Sequence, residues 1–160
     1  MHLFAFDSWL VKSASVAYIH YLSFMLCFGA LVFERISLKA DPNRKQAISM
    51  VIADIVYGIA GIALLVSGIY RVLKFGQGAE FYTQNPLFWT KMILFGLVGS
   101  LSLYPTVTYI LWAIPLSKGT LPEVGNNLVS RLRIIINIEL VGFASIPFLA
   151  TLMSRGVGLN

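Results

Sequence analysis

Cysteine is almost missing from this chain, with Cys27 the single example. A lone thiol excludes an internal disulfide and any metal site built from several cysteines. Charge is scarce as well. Asp, Glu, Lys and Arg make up 12% of the residues, against about 25% in soluble domains. Acids are the scarcer sign, seven against twelve basic residues, and the net charge is +5. No P-loop, G-x-S-x-G, H-E-x-x-H or C-x-x-C motif is present, so hydrolytic and metalloprotease chemistry have no residues to rest on. No basic run alternates with aromatics, which argues against nucleic acid as a partner. The opening MHLFAFDSWLVKSAS lacks the basic start of a signal peptide, and Asp7 breaks its apolar run. It reads as a retained interfacial lead-in anchored by Phe4, Phe6 and Trp9, with His2 solvated.

What the chain does have is apolar length. Hydrophobic residues make up 58% of it, and the mean hydropathy is +0.79. Four runs stand out, at about 15–33, 47–73, 87–114 and 132–153. At ~1.5 Å per residue, each approaches or exceeds the ~30 Å of a bilayer's hydrocarbon as a helix. The fold class expected is therefore an all-α integral membrane protein. It is a bundle of four transmembrane helices forming one domain over residues 1–160, with the lipid bilayer as its first partner.

The connections carry turn signals and charge. Asp41-Pro42-Asn43 turns the first loop, and the Gly-rich KFGQGAEFYTQNP reads as a connection with interfacial aromatics or as a short cap over a site. Alternating spans put the first and third loops on one side. That side holds Arg35, Lys39, Arg44, Lys45, Lys118, Arg131 and Arg133, and the other holds Lys12, Arg71, Lys74, Lys91 and Arg155, seven against five. The positive-inside rule places the first and third loops in the cytoplasm and both termini outside. Gly58, Gly61 and Gly68 suggest a close-packing face. Pro105 should kink the third span, with Tyr104, Thr106 and Thr108 re-satisfying the backbone.

Polar residues inside the spans sort into two layers. On the terminal side stand His20, Arg71 and Lys91. On the loop side stand Glu34, Arg35, Asp54 and Glu139, with Glu34–Arg35 taken as the point where the first helix meets water. Asp54 and Glu139 each precede an arginine, Arg71 and Arg155, by about the same length. This echo suggests two pseudo-repeated helical hairpins. A bare carboxylate at bilayer depth costs roughly 2.5–3.5 kcal/mol on insertion scales. Asp54 and Glu139 should therefore point inward, either as an ion-pair network with Arg35, Arg131 or Arg133 or as a proton relay.

In the outer layer, a neutral His20 can ligate haem iron while Arg71 and Lys91 neutralise acidic groups. The bland alternative is that His20 bonds a neighbouring backbone group and both cations snorkel to headgroups. The leading expectation is a site for haem b or a related tetrapyrrole or redox cofactor, with His20 as the iron ligand. The alternative is a non-enzymatic accessory or assembly subunit of a larger membrane complex, or a homo-oligomer.

The segments AYIHYLSFMLCFGALVFER, ADIVYGIAGIALLVSGIYRVLKFGQGAEFY, NPLFWTKMILFGLVGSLSLYPT and PFLATLMSRGVG resemble an uncharacterised family of bacterial four-helix predicted membrane proteins. That resemblance implies a bacterial inner or internal membrane and brings no activity. The first helix also resembles that of the four-helix, haem-binding protoporphyrinogen oxidases of the HemJ type. Those proteins carry a histidine, a glycine and an arginine at nearly the spacing of His20, Gly29 and Arg35. Their third helix opens with histidine, one residue, then lysine; here the residues are Trp89, Thr90 and Lys91. The lysine matches. Trp89 stands where a second axial ligand would be.

Overall fold

The computed structural model describes residues 8–158; the lead-in residues His2, Phe4, Phe6 and Asp7 lie outside it. The described chain is helical with short connections. Helix α1 spans Ser8–Ser37, α2 Arg44–Tyr70, α3 Ala79–Thr83, α4 Pro86–Ser117 and α5 Asn126–Ser154. A π-helical segment, Arg71–Phe75, continues α2. Four of these units are long and apolar enough to cross a membrane, with α2 and its π segment counting as one.

Every span outruns its apolar run, because caps rather than hydropathy set the ends. Asn43 and Gln46 form a capping box, each side chain bonding the other's backbone N–H at 3.0 Å, so α2 starts three residues before Ala47. Asn85 caps α4 by accepting from Leu87 N at 2.9 Å, and Pro86 follows at the first helical position, where no donor is lost. The first loop turns at Asp41, which takes φ 49°. Aspartate tolerates this left-handed conformation better than most residues. The second loop is not a plain connection, since it folds the single-turn-and-a-half helix α3.

The helices run up and down around a square. Each of α1–α2 and α4–α5 packs as a hairpin, and α2 meets α4 while α1 meets α5. The α1/α4 and α2/α5 pairs are diagonals. The first and third loops share an end, tied by Asp41 N to the Val124 carbonyl at 3.2 Å and by Arg133 Nη2 to the Leu38 carbonyl at 3.0 Å. The second loop and the C-terminal tail share the other end, where Asn85 Nδ2 donates to the Val157 carbonyl at 3.0 Å.

The core is a narrow seam of Cys27, Leu31, Ala60, Val98, Leu132, Ile136 and Phe143. Outward positions are apolar too: Ile59, Ile62, Val141 and Phe148 are each at least 65% exposed. An apolar outer surface is what a lipid-facing bundle requires, since the bilayer cannot hydrogen-bond. With no water to expel between helices, close packing holds them together. At Gly142 a Cβ would lie 2.6 Å from Val98 Cγ2, so α4 and α5 approach where glycine permits. Gly58 and Gly61 do not pack inside the bundle, and a Cβ at either would meet open space; of the three α2 glycines only Gly68 abuts another helix.

Pro105 sits inside α4 without ending it. Thr108 Oγ1 donates to the Tyr104 carbonyl at 2.8 Å, an ordinary bond to the preceding turn that leaves the Leu101 carbonyl freed by Pro105 without this partner. Thr106 departs from the expected backbone role: its hydroxyl crosses to α2 and donates to Asp54 Oδ1 at 2.7 Å.

Candidate functional site

The outer polar layer forms a cavity. His20 on α1, Arg71 at the head of the π segment and Lys91 on α4 line one pocket of about 520 Å³, within the range of small-molecule and cofactor sites. Its walls are mainly apolar, including Phe24, Phe88, Phe95 and Pro147. Tyr82 from α3 closes one side, so the second loop contributes a wall as well as a connection.

His20 is held by its Nδ1, which lies 3.1 Å from the Leu64 carbonyl and 3.1 Å from Ser67 Oγ. Ser67 commits its own hydrogen to helical carbonyls, that of Ala63 at 2.6 Å among them. Both neighbours of Nδ1 therefore act as acceptors, and Nδ1 carries the hydrogen. In the neutral ring, Nε2 is then a bare lone pair. Among the described residues it has no hydrogen-bond partner. This is the arrangement that fixes tautomer and ring angle in metal-ligating histidines. Gly68 supports the ring from below, where a Cβ would come within 3.2 Å of His20 Cε1.

The two cations are close enough to act electrostatically on His20. Arg71 Nη2 donates to the Tyr21 hydroxyl at 3.2 Å, and its guanidinium lies 4.9 Å from that ring's centroid. Lys91 Nζ lies 5.2 Å from the centroid of Phe88. Among the described residues neither is paired with a carboxylate, which leaves their charge for an anionic group. The π segment positions Arg71; such segments are frequent at functional sites because they re-aim a side chain within a helix. Trp89 is about half exposed and donates Nε1 to the Thr83 carbonyl at 2.9 Å. It does not line the cavity.

The inner layer is a second, separate cluster. Asp54 from α2 and Glu139 from α5 point into the bundle, 7% and 0% exposed. Glu34 joins them: rather than meeting water, it is 1% exposed, because α1 runs one turn further to Ser37. The three acids lie close enough to act on one another electrostatically. The expected pairing with arginine is not formed among the described residues. Arg35 Nε donates instead to Asn137 Oδ1 at 2.6 Å, and Arg133 to the Leu38 carbonyl. Both guanidinium groups are thus committed to acceptors other than the acids. Tyr109, fully buried on α4, faces Glu34 in the same cluster. Its one signal in the sequence is a tyrosine one turn after the intrahelical Pro105.

Comparison with known proteins gives one match. Residues 12–158 match a family described as predicted membrane proteins, DUF2214. No curated protein and no solved structure matches the chain. With nearly the whole chain covered and four apolar spans in place, this protein belongs to the DUF2214 family of predicted membrane proteins.

Proposed function

We propose that the cavity at the terminal end binds haem b or a related anionic tetrapyrrole, with His20 as the iron ligand. The observation that supports this reading is His20 itself, which shows a locked Nδ1 and, among the described residues, an unpartnered Nε2, in a mainly apolar pocket that also holds Arg71 and Lys91. His20 would supply the ligand nitrogen, and Leu64 and Ser67 would hold the ring in the required tautomer. Arg71 and Lys91 would bind the acidic substituents, with arginine suited to a carboxylate through its fork of donors. Phe24, Phe88 and Phe95 would cover an aromatic face and exclude water. When bound, haem supplies one-electron or oxygen chemistry, tuned by its axial ligand and surroundings. With Trp89 turned away, the start of α4 would supply no second ligand. By the basic-residue bias, the cavity opens toward the outer face and the first and third loops lie in the cytoplasm. Purified protein supplied with haem should show a Soret band that His20→Ala abolishes, while far-ultraviolet circular dichroism stays unchanged. A colourless wild-type protein after expression with ample haem would end this proposal.

A second reading is favoured by one observation. Gly58 and Gly61 leave open space on the outer face of α2. Small residues on a lipid-facing stripe let a partner's helix approach closely, as an accessory subunit of a larger membrane complex would need. In that case a stoichiometric membrane partner should co-purify in mild detergent and be lost from the Gly58→Leu/Gly61→Leu variant. Unchanged single-chain behaviour in both proteins would count against it.

A further inference from the structure

The inner cluster is not used by the cavity chemistry, and its contents call for an explanation. Each of the four spans contributes a polar group at one level: Glu34 from α1, Asp54 and Tyr57 from α2, Tyr109 from α4 and Glu139 from α5. All are at most 8% exposed. Buried polar groups are normally hydrogen-bonded, and the exceptions mark function. Among the described residues, both oxygens of Glu139, Oε1 of Glu34 and the Tyr109 hydroxyl have no hydrogen-bond partner. Of the three acids, Asp54 has a firm donor, in Thr106. A structural network would be fully satisfied, and an apolar core would stabilise the bundle as well.

Among the described residues no cation pairs with the three acids. Arg35 bonds Asn137, Arg133 bonds the Leu38 carbonyl, Arg44 Nη2 reaches the Leu116 carbonyl at 3.5 Å, and Arg131 is exposed. The remaining neighbours with ionisable groups are Tyr57, Tyr109 and Cys27, all able to stay neutral. Three bare carboxylates cannot share an apolar interior without counter-charge. Among the described residues no group of three His, Cys, Asp or Glu side chains has an arrangement that could hold a metal ion. A proton needs no coordination shell and is carried by the oxygens themselves. Tyr109 is a second, independent pointer. It is not an acid, is fully buried, and turns an uncommitted hydroxyl toward Glu34, where it can donate to a carboxyl or accept from one.

We propose that Glu34, Asp54 and Glu139, with Tyr109 as their neutral partner, form a proton-binding site in the core of the bundle. It is distinct from the His20 cavity. An aromatic layer separates the two, with Phe24 stacked on Phe143 at 5.1 Å and Tyr57 against Phe143 at 6.4 Å. Infrared spectroscopy of the purified protein in detergent tests the proposal directly. At neutral pH the wild type should show carboxylic-acid carbonyl bands that shift in D2O and disappear on alkaline titration while the helices remain folded. Glu34→Gln and Glu139→Gln should each remove part of that signal. Tyr109→Phe should shift it without removing it, and His20→Ala should leave it intact, which separates this result from the fate of the haem reading. Carboxylate bands alone, with or without a stoichiometric bound cation, would overturn the proposal. So would acid bands that neither exchange with D2O nor respond to pH before unfolding.

Discussion

A carboxylate among apolar residues must turn inward, and Asp54 and Glu139 do so. Glu34 was concealed by position. It closes an apolar run, so it looks like the first residue in water, and only the extra turn of α1 with Leu38 above it buries the carboxyl. Arg35, its neighbour and an expected partner of the acids, bonds Asn137 instead. Gly76 was one glycine among several in a loop, yet a Cβ there would collide with the Tyr82 hydroxyl and come within 2.7 Å of the Arg71 carbonyl. Its φ of −98° is open to any residue, so the constraint is space rather than backbone conformation. Gly76→Ala should therefore destabilise by about 1–3 kcal/mol, the usual range for overpacking. Adding Tyr82→Phe should recover only part of this, since the backbone contact remains. Thermal melts of the three variants in one detergent would check both statements.

At the level of elements, four helices and their order followed from apolar length, and their ends did not. The capping box at Asn43 and the turn at Asn85 rest on side chain–backbone bonds that hydropathy ignores. The π segment is likewise invisible in composition, because its residues Arg71–Phe75 have no signature distinct from an α-helical end. The α4–α5 contact hinges on Gly142 and Val98. Gly142→Ala should cost about 1–3 kcal/mol by pushing the two helices apart, because a β-branched valine has no free rotamer to yield. Val98→Ala in the same chain should restore most of the loss. A double-mutant cycle on these two sites should give a coupling of about 0.5–3 kcal/mol, the range for residues in contact; additive effects would show that the helices do not meet there.

For the whole molecule, the square arrangement places Cys27 at the centre of the seam, fully buried. A membrane-permeant maleimide should leave it unlabelled in the folded bundle and label it on denaturation, so its labelling reports global unfolding. Rapid labelling of folded protein would mean the bundle is looser than its packing implies. Class, span number and the shared ends of the loops followed from the sequence alone, because bilayer thickness and backbone satisfaction allow few solutions for so apolar a chain. The candidate site was half legible: His20, Arg71 and Lys91 share a height because antiparallel spans sort residues by depth. Depth, however, says nothing about which face of a helix looks inward or which helices are neighbours. Only the packed bundle put Leu64 and Ser67 behind His20, turned Trp89 outward, and brought Glu34 and Tyr109 to Asp54 and Glu139 across the α2/α5 diagonal. Those choices depend on the rotation of each helix, which is decided by close contacts such as Gly68 under His20 and Gly142 against Val98, each of which joins residues far apart in the chain.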